Sequence, residues 1–194
     1  MRDTDALLQH VRRSEPGLPI LLLGHSLGGL IAARFAEEQQ PKLAGLVLSS
    51  PFLRIKMAVP VWKRAAASIL SLTIPSLTMA SDLNVHWLTH DPEIISETIR
   101  DPLVYRIATP RWFTEVQRAQ AQATGAAGRI RQPVLLQYAG DDKIADACET
   151  DRFLEQLSCP VTVHRYAGLY HEIYNEIERE SIFADMERWI VTLL

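Results

Sequence analysis

Cysteine is scarce in this chain: two residues, Cys148 and Cys159, among 194. Two cysteines make no disulfide framework and no metal-ligand spacing, so they read as free thiols in a reducing compartment. Basic clusters and acidic tails are also missing. With 20 Lys and Arg against 23 Asp and Glu, the formal net charge is −3, which argues against nucleic acid as a partner. No stretch supplies the ~20 uninterrupted apolar residues that a membrane span requires. The most apolar region, 57–79, is broken by Pro60, Lys63, Arg64 and Pro75; it does not cross a bilayer but can lie on one as a peripheral contact. The opening Met1-Arg-Asp-Thr-Asp has neither a charged-then-apolar leader layout nor a cleavage site, which points to the cytoplasm. No internal repeat is visible, and a composition of 47% hydrophobic and 22% charged residues is that of an ordinary globular core.

The most informative feature lies at residues 20–29, Ile-Leu-Leu-Leu-Gly-His-Ser-Leu-Gly-Gly. An apolar strand runs directly into Gly-x-Ser-x-Gly, the pattern of a strand-to-helix turn that presents a serine hydroxyl clear of a sheet. Ser26 is thereby the candidate nucleophile. Gly24 and Gly28 are expected to be small because a side chain at either would collide with the tightly turned backbone.

The rest of the chain places this turn in an α/β architecture. A helix is expected over 3–13 with Leu7, Leu8 and Val11 on its inner face, then a strand over 18–23, a helix over 27–38 and a second strand over 43–48. Both strands are continuous apolar runs, as in parallel sheets covered by helices on both faces. From Pro51 to Gly128 the pattern becomes helical, is cut by prolines, carries Trp62, Trp87 and Trp112, and shows no convincing strand. This reads as an insertion. Strands return over 134–138 and 161–166, with helices over 145–157 and 183–194. The expected division is therefore core (1–51), helical cap insertion (52–128) and core again (129–194).

A serine hydroxyl is a weak nucleophile, so it needs a base to take its proton and an acid to orient that base. In parallel sheets such groups gather at the carboxyl ends of strands. His171 follows the last strand by a short loop and is the expected base. Asp141 and Asp142 follow the strand ending at Tyr138, and residue order alone leaves both open as the acid. The order Ser, Asp, His is that of the α/β hydrolases. The backbone N–H of Leu27, directly after the nucleophile, is the expected oxyanion donor. His25 is expected to pack below the turn. His86 and His90 are four apart, as metal ligands on one helix face would be, but no acidic or cysteine partner completes a site, so no metal and no other cofactor are expected. His10 and His164 read as structural, and Asp146 as part of the first turn of a helix.

These motifs resemble the serine-hydrolase family that contains monoacylglycerol lipases and bacterial lysophospholipases, of the serine aminopeptidase type. The likeness runs over nearly the whole chain: Gly-His-Ser-Leu-Gly-Gly at the elbow, Ser49-Ser-Pro51, His90-Asp-Pro92, Asp101-Pro-Leu-Val-Tyr105, Gly140-Asp-Asp-Lys-Ile144 and Gly168-Leu-Tyr-His-Glu172. The insertion motifs discriminate best, because many unrelated esterases share the elbow. The resemblance favours Asp142 over Asp141 as the acid. It implies that the insertion is an apolar cap admitting one acyl chain, and that the substrate is a monoacyl lipid ester, a lysophospholipid or monoacylglycerol.

Family members carry further strands, and a His-Gly loop supplying a second oxyanion donor, ahead of the point where this sequence starts. The expectation is thus a partial α/β-hydrolase fold whose first strand has an open edge at 20–23, through which a homodimer can form. The competing expectation is a catalytically weak lipid-binding or oligomerising module. A thioesterase or peptidase on the same scaffold is the variant within the enzyme class. Which cap residues bind substrate is not legible in the sequence.

Overall fold

The computed structural model describes residues 1–57, 59–81 and 83–193. Helix α1 (Arg2–Ser14) precedes strand β1 (Leu21–His25), helix α2 (Leu27–Gln39) and strand β2 (Gly45–Ser49). The insertion contributes α3 (Val61–Thr73), β3 (Met79–Ala80), α4 (Pro92–Arg100), β4 (Ile107–Ala108) and α5 (Pro110–Ala126). The chain then returns as β5 (Val134–Ala139), α6 (Ala147–Gln156), β6 (Val161–Tyr166) and α7 (Arg179–Val191). Strands β1, β2, β5 and β6 pair in that order, all parallel, with Leu22 opposite Leu46, Leu46 opposite Val134 and Val134 opposite Val161.

Because side chains alternate across a strand, an unbroken apolar run feeds two cores. Leu46, Leu48, Val134 and Leu136 face Leu30, Ala33 and Ala36 of α2, Ala123 of α5 and Phe153 of α6. Val47 and Leu135 point the other way, onto Trp189 of α7. Helices thus cover both faces, as expected. Their starts are marked by side-chain caps: Asp91 accepts from Glu93 N–H (2.9 Å), Thr109 from Trp112 N–H (3.2 Å) and Asp146 from Cys148 N–H (3.1 Å), each satisfying amides that have no intrahelical partner. Asp146 therefore caps α6 from just outside it, not from within its first turn.

The structure departs from the sequence reading in definite places. β1 starts at Leu21 and continues to His25, because Gly24 and His25 still pair with Leu48 and Ser49. Among the described residues it pairs on one side only, and Leu23 is 47% exposed despite its apolar run. On α1 only Leu8 of the expected inner face is buried, and Leu7 is exposed. The insertion does contain strand: β3 and β4 pair antiparallel, Met79 with Ala108 and Ala80 with Ile107. Two-residue strands have no periodicity to read. Helix α7 begins four residues before the expected Phe183.

On α2, the Arg34 guanidinium binds Glu37 Oε2 at 2.6 Å and also Glu38 and Gln122. Glu37 is fully buried, and its Oε1 has no hydrogen-bond partner among the described residues. Burial raises its pKa from 4.5 to about 7, against the opposing pull of Arg34. A folded-state pKa above the unfolded one means that folding favours the protonated acid, so this contribution is complete below about pH 4.5 and is lost as pH rises through 7. Replacing Glu37 with Gln is expected to remove that slope. Urea denaturation at pH 5 and pH 8 should show wild type losing up to roughly 3 kcal/mol relative to Glu37→Gln; equal pH slopes would contradict the assignment.

Candidate active site

Ser26 links β1 to α2 with φ 53° and ψ −119°. A non-glycine residue in this region carries roughly 1–3 kcal/mol of strain and persists only where its surroundings hold it. Here the Ser26 N–H donates to Ser49 O (2.9 Å), and its carbonyl accepts from Phe52 N–H (2.9 Å) and Leu30 N–H (3.1 Å). A Cβ on Gly24 would lie 2.3 Å from the carbonyl oxygen of Gly28, so that position must be glycine. Gly28 itself is different: a Cβ there meets nothing within 4 Å. The expected collision belongs instead to Gly29, whose Cβ would approach Pro51 at 2.9 Å. Helix α2 needs Gly29 small because it starts packed against the chain leaving β2.

Three of the four strands, β1, β5 and β6, each deliver one polar group to the same edge of the sheet. His171, in the loop after β6, sets Nε2 2.7 Å from Ser26 Oγ and Nδ1 2.7 Å from Asp142 Oδ2. The Asp142 carboxylate is held in turn by the N–H groups of Ile144 (2.8 Å) and Ala145 (2.9 Å) on Oδ1. His171 and Asp142 are both buried. A proton on Nδ1 would point at Asp142 and leave Nε2 as an acceptor facing Ser26 Oγ. Of the two adjacent acids, Asp142 is the one that reaches the imidazole. Asp141 turns outward and pairs with Lys143 Nζ at 2.7 Å, a contact that holds its carboxyl below the usual range. Leu27 opens α2, so its N–H is one of the helix amides that lack an intrahelical acceptor.

The remaining histidines separate by environment. His25 lies beneath the turn, with Nδ1 3.0 Å from Ser49 Oγ and its ring 5.1 Å from that of His171. Burial first, and the nearby His171 second, push its pKa down to about 4, so it stays neutral where a base works. His86 and His90 do not share a helix face: His86 sits in a short 3₁₀ turn (Val85–Trp87) and His90 precedes the cap of α4. His90 has an acidic partner after all, with Nδ1 2.9 Å from Glu176 Oε1. Among the described residues, no group of three or more His, Cys, Asp or Glu is placed to hold a metal ion. His164 lies 3.5 Å from Asp185. Sequence reasoning passed over Glu176 entirely, because a lone acid in a loop after the last strand carries no periodic signal.

The family model described as serine aminopeptidase, S33, matches residues 1–178. The chain belongs to that family. It is 32% identical to phospholipase YtpA of Bacillus subtilis, over 93% of this chain and 70% of that protein. It is 30% identical to the human monoglyceride lipase over 95% of this chain and 63% of that protein, so it spans less than two thirds of the human enzyme. The crystal structure of the Paleococcus ferrophilus monoacylglycerol lipase superposes with a TM-score of 0.91 at 30% identity, covering 100% of this chain and 74% of that one. This member of the family is an α/β hydrolase with the parallel sheet and flanking helices that its sequence leads one to expect.

The two glycines of the elbow separate experimentally. Gly24→Ala is expected to lower the thermal unfolding midpoint sharply or prevent folding, since a backbone carbonyl stands where the methyl would go. Gly28→Ala is expected to be neutral or stabilising by about 0.5–1 kcal/mol, the ordinary helix preference for alanine. Equal loss in both variants would show that the elbow does not distinguish them.

Proposed function

We propose that this chain is a serine carboxylic ester hydrolase acting on monoacyl lipids, with Ser26 as nucleophile, His171 as general base and Asp142 as the group that orients the imidazolium. The observation that carries this reading is the unbroken hydrogen-bonded run from Asp142 through His171 to Ser26 Oγ, 2.7 Å at each step. His171 Nε2 takes the hydroxyl proton as Ser26 Oγ attacks the ester carbonyl carbon. The oxyanion that forms meets the N–H of Leu27 at the start of α2. Collapse expels the alcohol, which receives the proton from His171 and leaves an acyl group on Ser26. Water, deprotonated by the same imidazole, then releases the fatty acid and restores the serine.

The choice of a monoacyl ester rests on the named relatives, a phospholipase and monoglyceride lipases, and on the apolar character of the insertion. We assign residues 52–128 the role of a cap over the site between the two core parts, 1–51 and 129–194. Val61, Trp62 and Leu72 of α3, with Leu103 and Tyr105, are each 69–81% exposed, which suits a surface resting on a lipid layer. Among the described residues no helix is long and apolar enough to cross a membrane.

A fluorophosphonate probe is expected to label wild type at Ser26 and to leave Ser26→Ala unlabelled. Asp142→Asn should cut kcat for a monoacylglycerol about 10⁴-fold by inverting the imidazole's proton placement. Absence of labelling in folded wild type would favour the binding-module reading, and faster turnover of an aminoacyl amide than of any monoacyl ester would overturn the substrate class. Sedimentation with phosphatidylcholine vesicles checks the surface: replacing Trp62 and Leu72 together with Ser should lower the bound fraction severalfold, and an unchanged fraction would remove the lipid-contact role.

A further inference from the structure

Glu176 lies in the segment between β6 and α7 and has no accessible surface. Its carboxylate is shared between two stretches of chain that the hydrolase reading assigns to different parts of the machinery. Oε1 accepts the N–H of Tyr170, the residue before the base, at 2.7 Å, and faces His90 Nδ1 at 2.9 Å. Oε2 accepts the N–H of His90 at 2.9 Å and, at 3.1 Å, shares the single hydroxyl proton of Thr89 with Asn175 O. Both Thr89 and His90 come from the insertion. The same seam continues on either side: Glu172 N–H donates to Leu88 O at 2.7 Å, Thr89 Oγ1 is 2.8 Å from Asn175 O, and Arg179 Nη1 meets Asp91 Oδ2 at 3.1 Å. The Tyr170 ring stacks on His90 with centroids 3.8 Å apart and lies 5.5 Å from Lys143 Nζ.

A fully buried carboxylate is costly to desolvate, and an apolar residue of similar size would pack there without that cost. Burial would raise its pKa, yet the amides of Tyr170 and His90 and the side chains of His90 and Thr89 outweigh it and keep the group below the ordinary glutamate range. Directional bonds to four donors are what a carboxylate offers and an apolar residue does not. One of those bonds falls on Tyr170, the residue before His171. Tyr170 is tied through Glu176, and Glu172 directly, to the segment 88–90, so the imidazole is bracketed between two anchors on the cap.

We infer that Glu176 is a positioning residue that sets the base His171 against the cap segment Thr89-His90 by accepting hydrogen bonds from Tyr170 and from both cap residues. The inference rests on the hydrolase reading for its catalytic consequence but not for its geometry. A displacement of the imidazole by about 1 Å is enough to cost on the order of 10²-fold in rate.

The test compares wild type, Glu176→Gln and Glu176→Asp. The glutamine amide offers one accepting and one donating end, so its NH₂ group must face a backbone N–H, that of Tyr170 or that of His90. Glu176→Gln is expected to lower kcat for a monoacylglycerol by about 30-fold or more with KM changed less than threefold, and to slow fluorophosphonate labelling by a matching factor. Glu176→Asp should recover part of that loss because it keeps the charge. The His171 Nδ1–H proton resonance reports the imidazole's position without turnover: it should be sharp in wild type and broadened or shifted in Glu176→Gln at an unaltered unfolding midpoint. Should Glu176→Gln not fold, the double variant Thr89→Val with His90→Ala removes two of the four donors and should reduce kcat about fivefold. Wild type that shows the resonance but no labelling would defeat the hydrolase reading alone. An unchanged His171 resonance in folded Glu176→Gln, or an unchanged kcat in either variant, would overturn the role given to Glu176.

Discussion

Parallel pairing of four strands is the constraint on which the rest of the molecule depends. In a parallel sheet every strand ends at the same edge, so whatever follows β1, β5 and β6 is delivered to one place regardless of distance along the chain. Ser26 and His171 are 145 residues apart and 2.7 Å apart. The pairing depends on two-sided apolar strands: Leu46 and Leu48 feed one core while Val47 feeds the other, and only strands that are apolar on both faces can be covered by helices on both. Register, core and site are in this sense one property of the fold.

Around that edge the molecule accepts several local costs. Ser26 is held at a positive φ by its hydrogen bonds to Ser49, Phe52 and Leu30, and Gly24 is reduced to a hydrogen so that the carbonyl of Gly28 can approach. His25 is buried neutral behind His171, Asp142 is buried within reach of two amides, and Glu176 is buried within reach of two amides and two polar side chains. Each polar group is compensated by directional bonds to groups that would otherwise be free to drift. Glu37 is the exception, with one oxygen unpartnered among the described residues, and its pKa moves accordingly.

The sequence reading succeeded where chemistry and spacing are local. The strand-to-helix turn at Ser26, the four sheet strands and the helices flanking them all follow from short runs whose periodicity is set by a few neighbours. It went wrong where a contact is made by residues distant in the chain. Gly28 was expected to be sterically fixed from its place in the motif, whereas the structure gives that burden to Gly29 through Pro51. The β3–β4 pair joins Met79 to Ala108, too short and too far apart to leave a pattern. Leu7 and Leu23 are exposed although their local patterns suggest burial, because burial depends on what packs opposite.

What the sequence by itself determined is the kind of fold and the turn that carries Ser26, since both are encoded in apolar periodicity and in glycine spacing over ten residues. Which acid meets His171, and that a glutamate five residues beyond it bonds both Tyr170 and His90, were decided only in the folded chain. Asp141 and Asp142 are chemically identical neighbours, and the turn between β5 and α6 sends one carboxylate to the imidazole and the other to Lys143. Thr89 and Glu176 are 87 residues apart. No local pattern can announce a contact whose partners meet only after the sheet has assembled.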